Sequence, residues 1–417
     1  MAFTATRTLL PIEVLNEILD HAADDHRTLA ACARASPALL PRARTHLWRD
    51  VAVYCDWDEM DRDLFGTHVY AGAHQPSPQT RHVFLDAFAA AVDATPALAP
   101  CVRTLRLYQR LMGSHRSRFA AERARVLGRL TGLRTLTLDS MRVRSLADWC
   151  AIVRLPLGLE ELVCRSTAVD VGPPGLRVGL GLGAGERAGG RELALRRVTM
   201  QQCMITQTFC ALEGRQSLEA AALEQLQISG GEHAHQWYAL IRAGTRTLRH
   251  LVAVNGEAVT DGEPATSTTR LFGLLRLCSG LRYLGLRHQP HNREQTMEGT
   301  LLQSLCELLE SDPPLRFTLE NLMLLVVERN GVIVGVTYSL VDRLAKVLLD
   351  RRRFPAFKRL TVWLDGQIWM EWYSSWILTG NVAVMQERAK TLRDAFEAFG
   401  DHVEVKLRCV AGGPGTQ

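Results

Sequence analysis

Leu133-Arg134-Thr135-Leu136-Thr137-Leu138 and Leu281-Arg282-Tyr283-Leu284-Gly285-Leu286 are one phrase written twice, with leucine at the first, fourth and sixth places. The same spacing returns as Val102-x-x-Leu105-x-Leu107, Leu159-x-x-Leu162-x-Cys164, Leu223-x-x-Leu226-x-Ile228 and Leu248-x-x-Leu251-x-Ala253. It continues as Leu319-x-x-Leu322-x-Leu324 and Phe357-x-x-Leu360-x-Val362, with a truncated Leu193-x-Leu195 in between. The phrases recur about every 25 to 38 residues, the period of a strand-plus-helix repeat. Between them, apolar residues fall at helical spacing over 119–130, 146–155, 209–218, 237–241, 271–277, 297–309 and 340–349. One such unit cannot bury its own apolar face, so neighbours must stack, strand beside strand and helix beside helix.

The fold expected is therefore an α/β repeat: a leucine-rich-repeat-like solenoid over 101–410, with parallel strands on the concave side and helices on the convex side. The phrases resemble divergent, long, intracellular-type leucine-rich repeats, lacking a regular Asn or Cys after the third apolar place. An open α/β sheet of βαβ crossovers satisfies the same alternation, although it does not require the phrase itself to repeat. Asn330-Gly331 between two apolar runs is a hairpin signal that inserts an antiparallel ribbon. Residues 385–399 read as a helix and Val403, Val405 and Leu407 as a closing strand, with 411–417 frayed.

Before the repeats, the pattern points outward. Pro11 and Glu13 suit a first helical turn, and Leu10, Val14, Leu15, Ile18 and Leu19 form a wide apolar stripe. Asp24 and Asp25 can cap a second helix around Leu29, Pro37 closes it, and Leu39 to Trp48 make a third. Three helices in about forty residues cannot bury this much apolar surface among themselves, so some of it is expected to meet a partner. Leu10-Pro11-x-Glu13-Val14-Leu15-x-x-Ile18-Leu19, the Leu29 helix and Leu47-Trp48-Arg49 resemble an F-box. The nearest resemblance is to the F-box proteins with divergent repeat tails abundant in mushroom-forming fungi. It covers about a tenth of the chain.

The resemblance implies a three-helix F-box at 1–52, in which Leu10, Pro11, Ile12, Val14, Leu15, Ile18, Leu29, Leu47 and Trp48 dock on a Skp-type adaptor of a cullin-RING ubiquitin ligase. Residues 53–100 read as a linker, rich in turn residues at 71–80, followed by a helical cap carrying Val83, Phe84, Ala87, Phe88 and Val92. The implied function is that of the substrate-recognition subunit of a Skp-cullin-F-box ligase. The alternative is a leucine-rich-repeat scaffold with no ligase attached.

Composition narrows the classes. The formal charge of +5 is spread over many arginines rather than blocks, which argues against nucleic acid. Ten cysteines without a CxxC pair, and a start without a basic-then-apolar leader, suit a reducing intracellular compartment, cytoplasmic or nuclear. No apolar run is long enough to cross a bilayer, and no membrane partner is expected.

Nothing marks an enzyme, a cofactor or a metal. Gly179, Gly181, Gly183 and Gly185 lack the Gly-Lys-Ser/Thr ending of a phosphate loop and read as a flexible loop. His233 and His235, His288 and His291, and Cys203 and Cys210 lack metal-ligand spacing. No GxSxG elbow or sequence-local base activates a nucleophile. Trp369, Trp372, Tyr373 and Trp376 share a helical side, read as core packing before an exposed pocket.

What remains is the strand face turned from the core. Side chains alternate along a strand, so if Leu105 and Leu107 point inward, Arg106 and Tyr108 point to the concave face. The same logic exposes Arg165, Arg196, Arg287 and Trp363, residue types enriched at binding hot spots. Glu161, Glu192 and Asp139 fall among them, so the face is mixed in charge. These are the candidate substrate-binding residues.

Overall fold

The phrase positions are strands. The computed structural model describes residues 10–55, 80–109, 118–169, 195–201, 223–229, 237–256, 271–289, 300–329, 332–333, 338–365, 390–391, 393–394 and 396–408. The chain divides into two units, residues 1–191 and 192–417. Each is an α/β repeat built on parallel strands.

In the first unit, helices α1 (Ile12–His21), α2 (His26–Ala35) and α3 (Leu40–Leu47) lead into strand β1 (Asp50–Tyr54). Strand β2 (Arg81–Phe84), helix α4 (Leu85–Ala94), strand β3 (Thr104–Tyr108), a 3-10 turn over Ala121–Arg129 and strand β4 (Thr135–Asp139) follow. Next come β5 (Arg142–Val143), helix α5 (Leu146–Arg154), β6 (Glu161–Arg165) and β7 (Ala168–Val169). The strand order is β2-β1-β3-β4-β6, parallel throughout, and β5 pairs with β7 in a separate small ribbon. Parallel neighbours need a crossover, and between β2 and β6 helix α4, the 3-10 segment and helix α5 supply it. Register sets Val51, Leu105, Leu136 and Leu162 side by side, and likewise Val53, Leu107, Leu138 and Cys164. All eight are buried, so the apolar places of the phrase stack as two continuous rows.

In the second unit the strands are β8 (Arg197–Gln201), β9 (Gln225–Ser229), β10 (His250–Gly256), β11 (Tyr283–Gln289), β12 (Asn321–Arg329), β13 (Val332–Ile333), β14 (Arg359–Asp365) and β15 (Val403–Arg408). Their order is β8-β9-β10-β11-β12-β14-β15, all parallel. Helices α6 (Trp237–Gly244), α7 (Thr300–Glu310) and α8 (Tyr338–Leu348) fall between them, with a shorter turn of helix over 271–275. Leu226, Leu251, Leu284, Leu322 and Leu360 form one buried row. The hairpin signal is realised: β13 runs antiparallel to β12 through Glu328↔Ile333 and Arg329↔Val332.

Strands β3, β4, β6, β9, β10, β11, β12 and β14 start alike. The carbonyl of the residue just before one strand accepts N–H groups from two successive residues at the head of the next. Arg103 O takes Arg134 N at 2.8 Å and Thr135 N at 3.0 Å. Arg249 O takes Arg282 N at 2.8 Å and Tyr283 N at 3.0 Å. The position carries Arg49, Arg103, Arg134 and Glu160 in the first unit, and Arg196, Glu224, Arg249, Arg282, Glu320 and Lys358 in the second. Satisfying buried backbone groups this way leaves a charged side chain at the same edge of each of these repeats.

Several expectations change. The repeats begin earlier than residue 101, because β1 joins β3 and β2 adds an edge strand. The boundary expected at 52 thus falls inside a strand, since Val51 and Val53 supply the apolar alternation. Val83 and Phe84 belong to β2 rather than to the helix that follows. The truncated phrase is read too early in the chain: the strand is 197–201, with Val198 and Met200 buried as its alternating pair and Leu195 buried just before it. The segment 121–129 winds as a 3-10 rather than an α-helix. The expected helix at 209–218, the glycine run at 179–185 and Trp369, Trp372, Tyr373 and Trp376 lie outside the described residues, as do His233, His235 and His291.

Candidate functional site

Two surfaces deserve comparison, the N-terminal helices and the strand face turned from the core. Helix α1 follows Pro11, whose φ of −54° and ψ of 146° make it the entry residue, and Leu15 N donates to Pro11 O at 3.2 Å. Asp25 caps α2, accepting from Arg27 N at 3.0 Å and Thr28 N at 3.1 Å. Asp20 ties α1 to α3: the Arg42 guanidinium grips it through two bonds of 2.6 and 2.5 Å, and His46 Nε2 lies 2.8 Å away. These partners, Arg42 before His46, hold the Asp20 carboxyl down at a pKa of about 2.

Only Leu19 of α1 is fully buried. Leu10, Ile12, Val14 and Ile18 are 54%, 41%, 37% and 51% exposed, Pro11 is exposed and Leu15 is half-buried. The resemblance places Leu29, Leu47 and Trp48 on the same docking surface, and here the structure differs. Leu29 is completely enclosed between the helices and Leu47 is half-buried. Trp48 is buried against Phe88, ring centroids 6.3 Å apart, with Arg81 over its face. The indole is spent on joining helices to sheet.

On the strand face of the first unit, register lines up Phe84, Tyr54, Tyr108, Asp139 and Arg165. Tyr54 stacks on Tyr108 at 5.5 Å and on His82 at 5.8 Å, and its hydroxyl lies 2.7 Å from His82 Nδ1. Burial, then the neighbouring Arg106 charge, lowers the His82 pKa, so the ring stays neutral near pH 7. Arg106, Tyr108 and Arg165 are half-buried and sit within three adjacent strands. Sequence reasoning misses Tyr54, His82 and Phe84, because it assigns them to a linker and a helix; the alternation Val51, Val53 was the available signal.

On the strand face of the second unit, His250 lies flat on Tyr283, centroids 4.1 Å apart and planes 5° from parallel. The Tyr283 hydroxyl reaches Met323 Sδ at 3.0 Å. Burial lowers the His250 pKa and raises that of Tyr283. Arg287 and Trp363 share a row with Leu325 between them; their side chains are outside what is described. Arg196 is not on this face. It precedes β8, exposed at the strand-start edge, because the strand begins one residue later.

Among the described residues, no group of three His, Cys, Asp or Glu is placed to hold a metal, and no helix is long and apolar enough to cross a membrane. Burial pushes the Cys278 thiol up to about 12 and Cys306 up to about 11, the opposite of nucleophile activation.

No protein-family model matches the chain, and no curated protein does. Among solved structures, the chain is similar to a structural-genomics target protein from Bacteroides fragilis at 14% identity and a TM-score of 0.31. The match covers 67% of this chain and 66% of that one, just under two thirds, a likeness too remote to carry an argument about function.

Proposed function

We propose that the chain is a non-catalytic bridge, in which the N-terminal helices dock on a Skp-type adaptor of a cullin-RING ubiquitin ligase and the repeats hold a protein substrate. Proximity does the work: a held substrate lysine meets a ubiquitin-charged enzyme at high effective concentration. One observation supports the reading most, the exposed apolar set Leu10, Ile12, Val14 and Ile18 on and beside a ten-residue helix that fully buries one residue. Covering such a side chain is worth about 1.5 to 3 kcal/mol, and every 1.4 kcal/mol is roughly tenfold in affinity.

The test is co-purification of the adaptor with wild type and with a Val14→Asp/Ile18→Asp variant. Capture by wild type and loss of at least roughly tenfold in the variant is the expected result. Failure of wild type to capture any Skp-type adaptor returns the chain to the scaffold reading, a repeat protein with no ligase attached.

A further inference from the structure

At the strand-start edge of the second unit, a groove of about 280 Å³ opens between Glu224, Arg249 and Arg282, at the heads of β9, β10 and β11. Arg246, Thr247, Gly280 and Thr318 complete its walls from the preceding turns. Three guanidiniums and one carboxylate leave a formal charge of +2 on this lining.

Several arginines elsewhere in the same unit are committed. Arg343 is held by Glu310, Arg353 and Arg316 by Asp312, and Arg359 by Glu404. Among the described residues, the side chains of Arg246 and Arg249 have no hydrogen-bond or ion-pair partner. Arg282 reaches only Glu320 at 3.7 Å, and Glu320 is already held by Lys358 at 2.6 Å. The two threonine hydroxyls are turned into the turns they brace, Thr247 to Leu223 O at 2.9 Å and Thr318 to Leu281 O at 2.9 Å. The groove therefore offers guanidinium donors and positive charge, with Glu224 the single carboxylate of its lining.

Guanidiniums donate and never accept, so their partner must present acceptors, and the paired oxygens of a carboxylate match the guanidinium fork and its charge. The groove is open and rimmed by charged side chains, unlike the enclosed apolar cavities that hold small organic ligands. A charge of +2 spread over three adjacent strand heads is balanced by two neighbouring carboxylates on an extended chain. We propose that this groove docks an acidic segment of a partner protein, with adjacent Asp or Glu side chains spanning Arg246, Arg249 and Arg282. The inference stands whether or not helix α1 binds an adaptor.

The experiment is fluorescence anisotropy of a labelled poly-glutamate peptide titrated with the purified full chain, at low and at high salt. Wild type should bind, more weakly as salt rises. Arg246→Glu/Arg249→Glu/Arg282→Glu should bind at least roughly tenfold more weakly. A control, Arg242→Glu/Arg276→Glu/Arg352→Glu, reverses the same formal charge at exposed arginines that do not line the groove and should bind like wild type. Should reversal unfold the protein, as circular dichroism would reveal, glutamine at the same three positions replaces glutamate and should still weaken binding. Equal binding by the groove variant and wild type overturns the proposal, as does equal loss in the control. Binding of inorganic pyrophosphate with no binding of the peptide also overturns it, in favour of a small-anion site.

Discussion

Arg81 holds its guanidinium carbon 4.0 Å above the indole of Trp48, joining the residue that ends α3 to the first residue of the edge strand β2. A residue that the resemblance assigns to an adaptor surface is thereby a hinge-pin between helices and sheet. The two are parts of one unit rather than a small domain on a linker.

Truncating that pin should be felt across the unit. Trp48→Ala removes a buried aromatic packed on Phe88 and is expected to cost about 3 to 5 kcal/mol. Arg81→Ala loses a cation over a ring and should cost only about 0.5 to 2 kcal/mol. Urea unfolding followed by hydrogen exchange at β1 and β3 checks this; unaltered protection of those strands in Trp48→Ala would mean the helices fold apart from the sheet.

Helix α1 should separate stability from docking. Leu19→Ala empties a buried site and should cost about 2 to 5 kcal/mol. Val14→Asp/Ile18→Asp changes exposed places and should stay within about 0.5 kcal/mol per substitution. Thermal melts of the two variants measure the contrast, and a large loss in the aspartate variant would show that the exposed face is covered from within the chain.

Acid should loosen the second unit through His250. Its folded pKa is lowered by burial against Tyr283, below the ordinary value near 6.5. Above that value neither folded nor unfolded chain carries the charge. As pH falls below it, the unfolded state takes up the proton first, so stability drops until the folded pKa is passed and then levels. His250→Gln should flatten that part of the stability profile. An equal acid slope in the variant would place the sensitivity elsewhere, His82 being next because its pKa is lowered in the same direction.

Gly285 keeps two neighbours close. A Cβ there would meet Met323 Cε at 2.7 Å and Val252 Cγ2 at 3.1 Å. Gly285→Ala should cost about 1 to 3 kcal/mol as overpacking. Pairing it with Met323→Ala should cost less than the two singles summed, because the thioether that must move is gone. Chemical denaturation of the four proteins in the cycle gives the coupling, and strict additivity would contradict the contact.

The phrase Leu-x-x-Leu-x-Leu determined by itself that strands form at 104–108, 135–139, 161–165 and 283–289, because its last two apolar places alternate at the period of a strand while the first lies just before it. Helix capping at Asp25 and the antiparallel pairing of β12 with β13 were legible for the same reason: each rests on neighbours in sequence. Position along the edge was not. Whether Arg196 faces outward on a strand or stands before it depends on which of Leu193, Leu195, Val198 and Met200 meets the neighbouring strand. Register is a tertiary choice, and one residue reverses every side chain. Likewise an exposed apolar helix face was readable from composition, but the burial of Leu29 and Trp48 was not, because only packing against Phe88 and the other helices decides which apolar residues are already covered. The groove at Arg246, Arg249 and Arg282 was invisible in the sequence, since residues 246, 249 and 282 are brought together only when β10 and β11 pair.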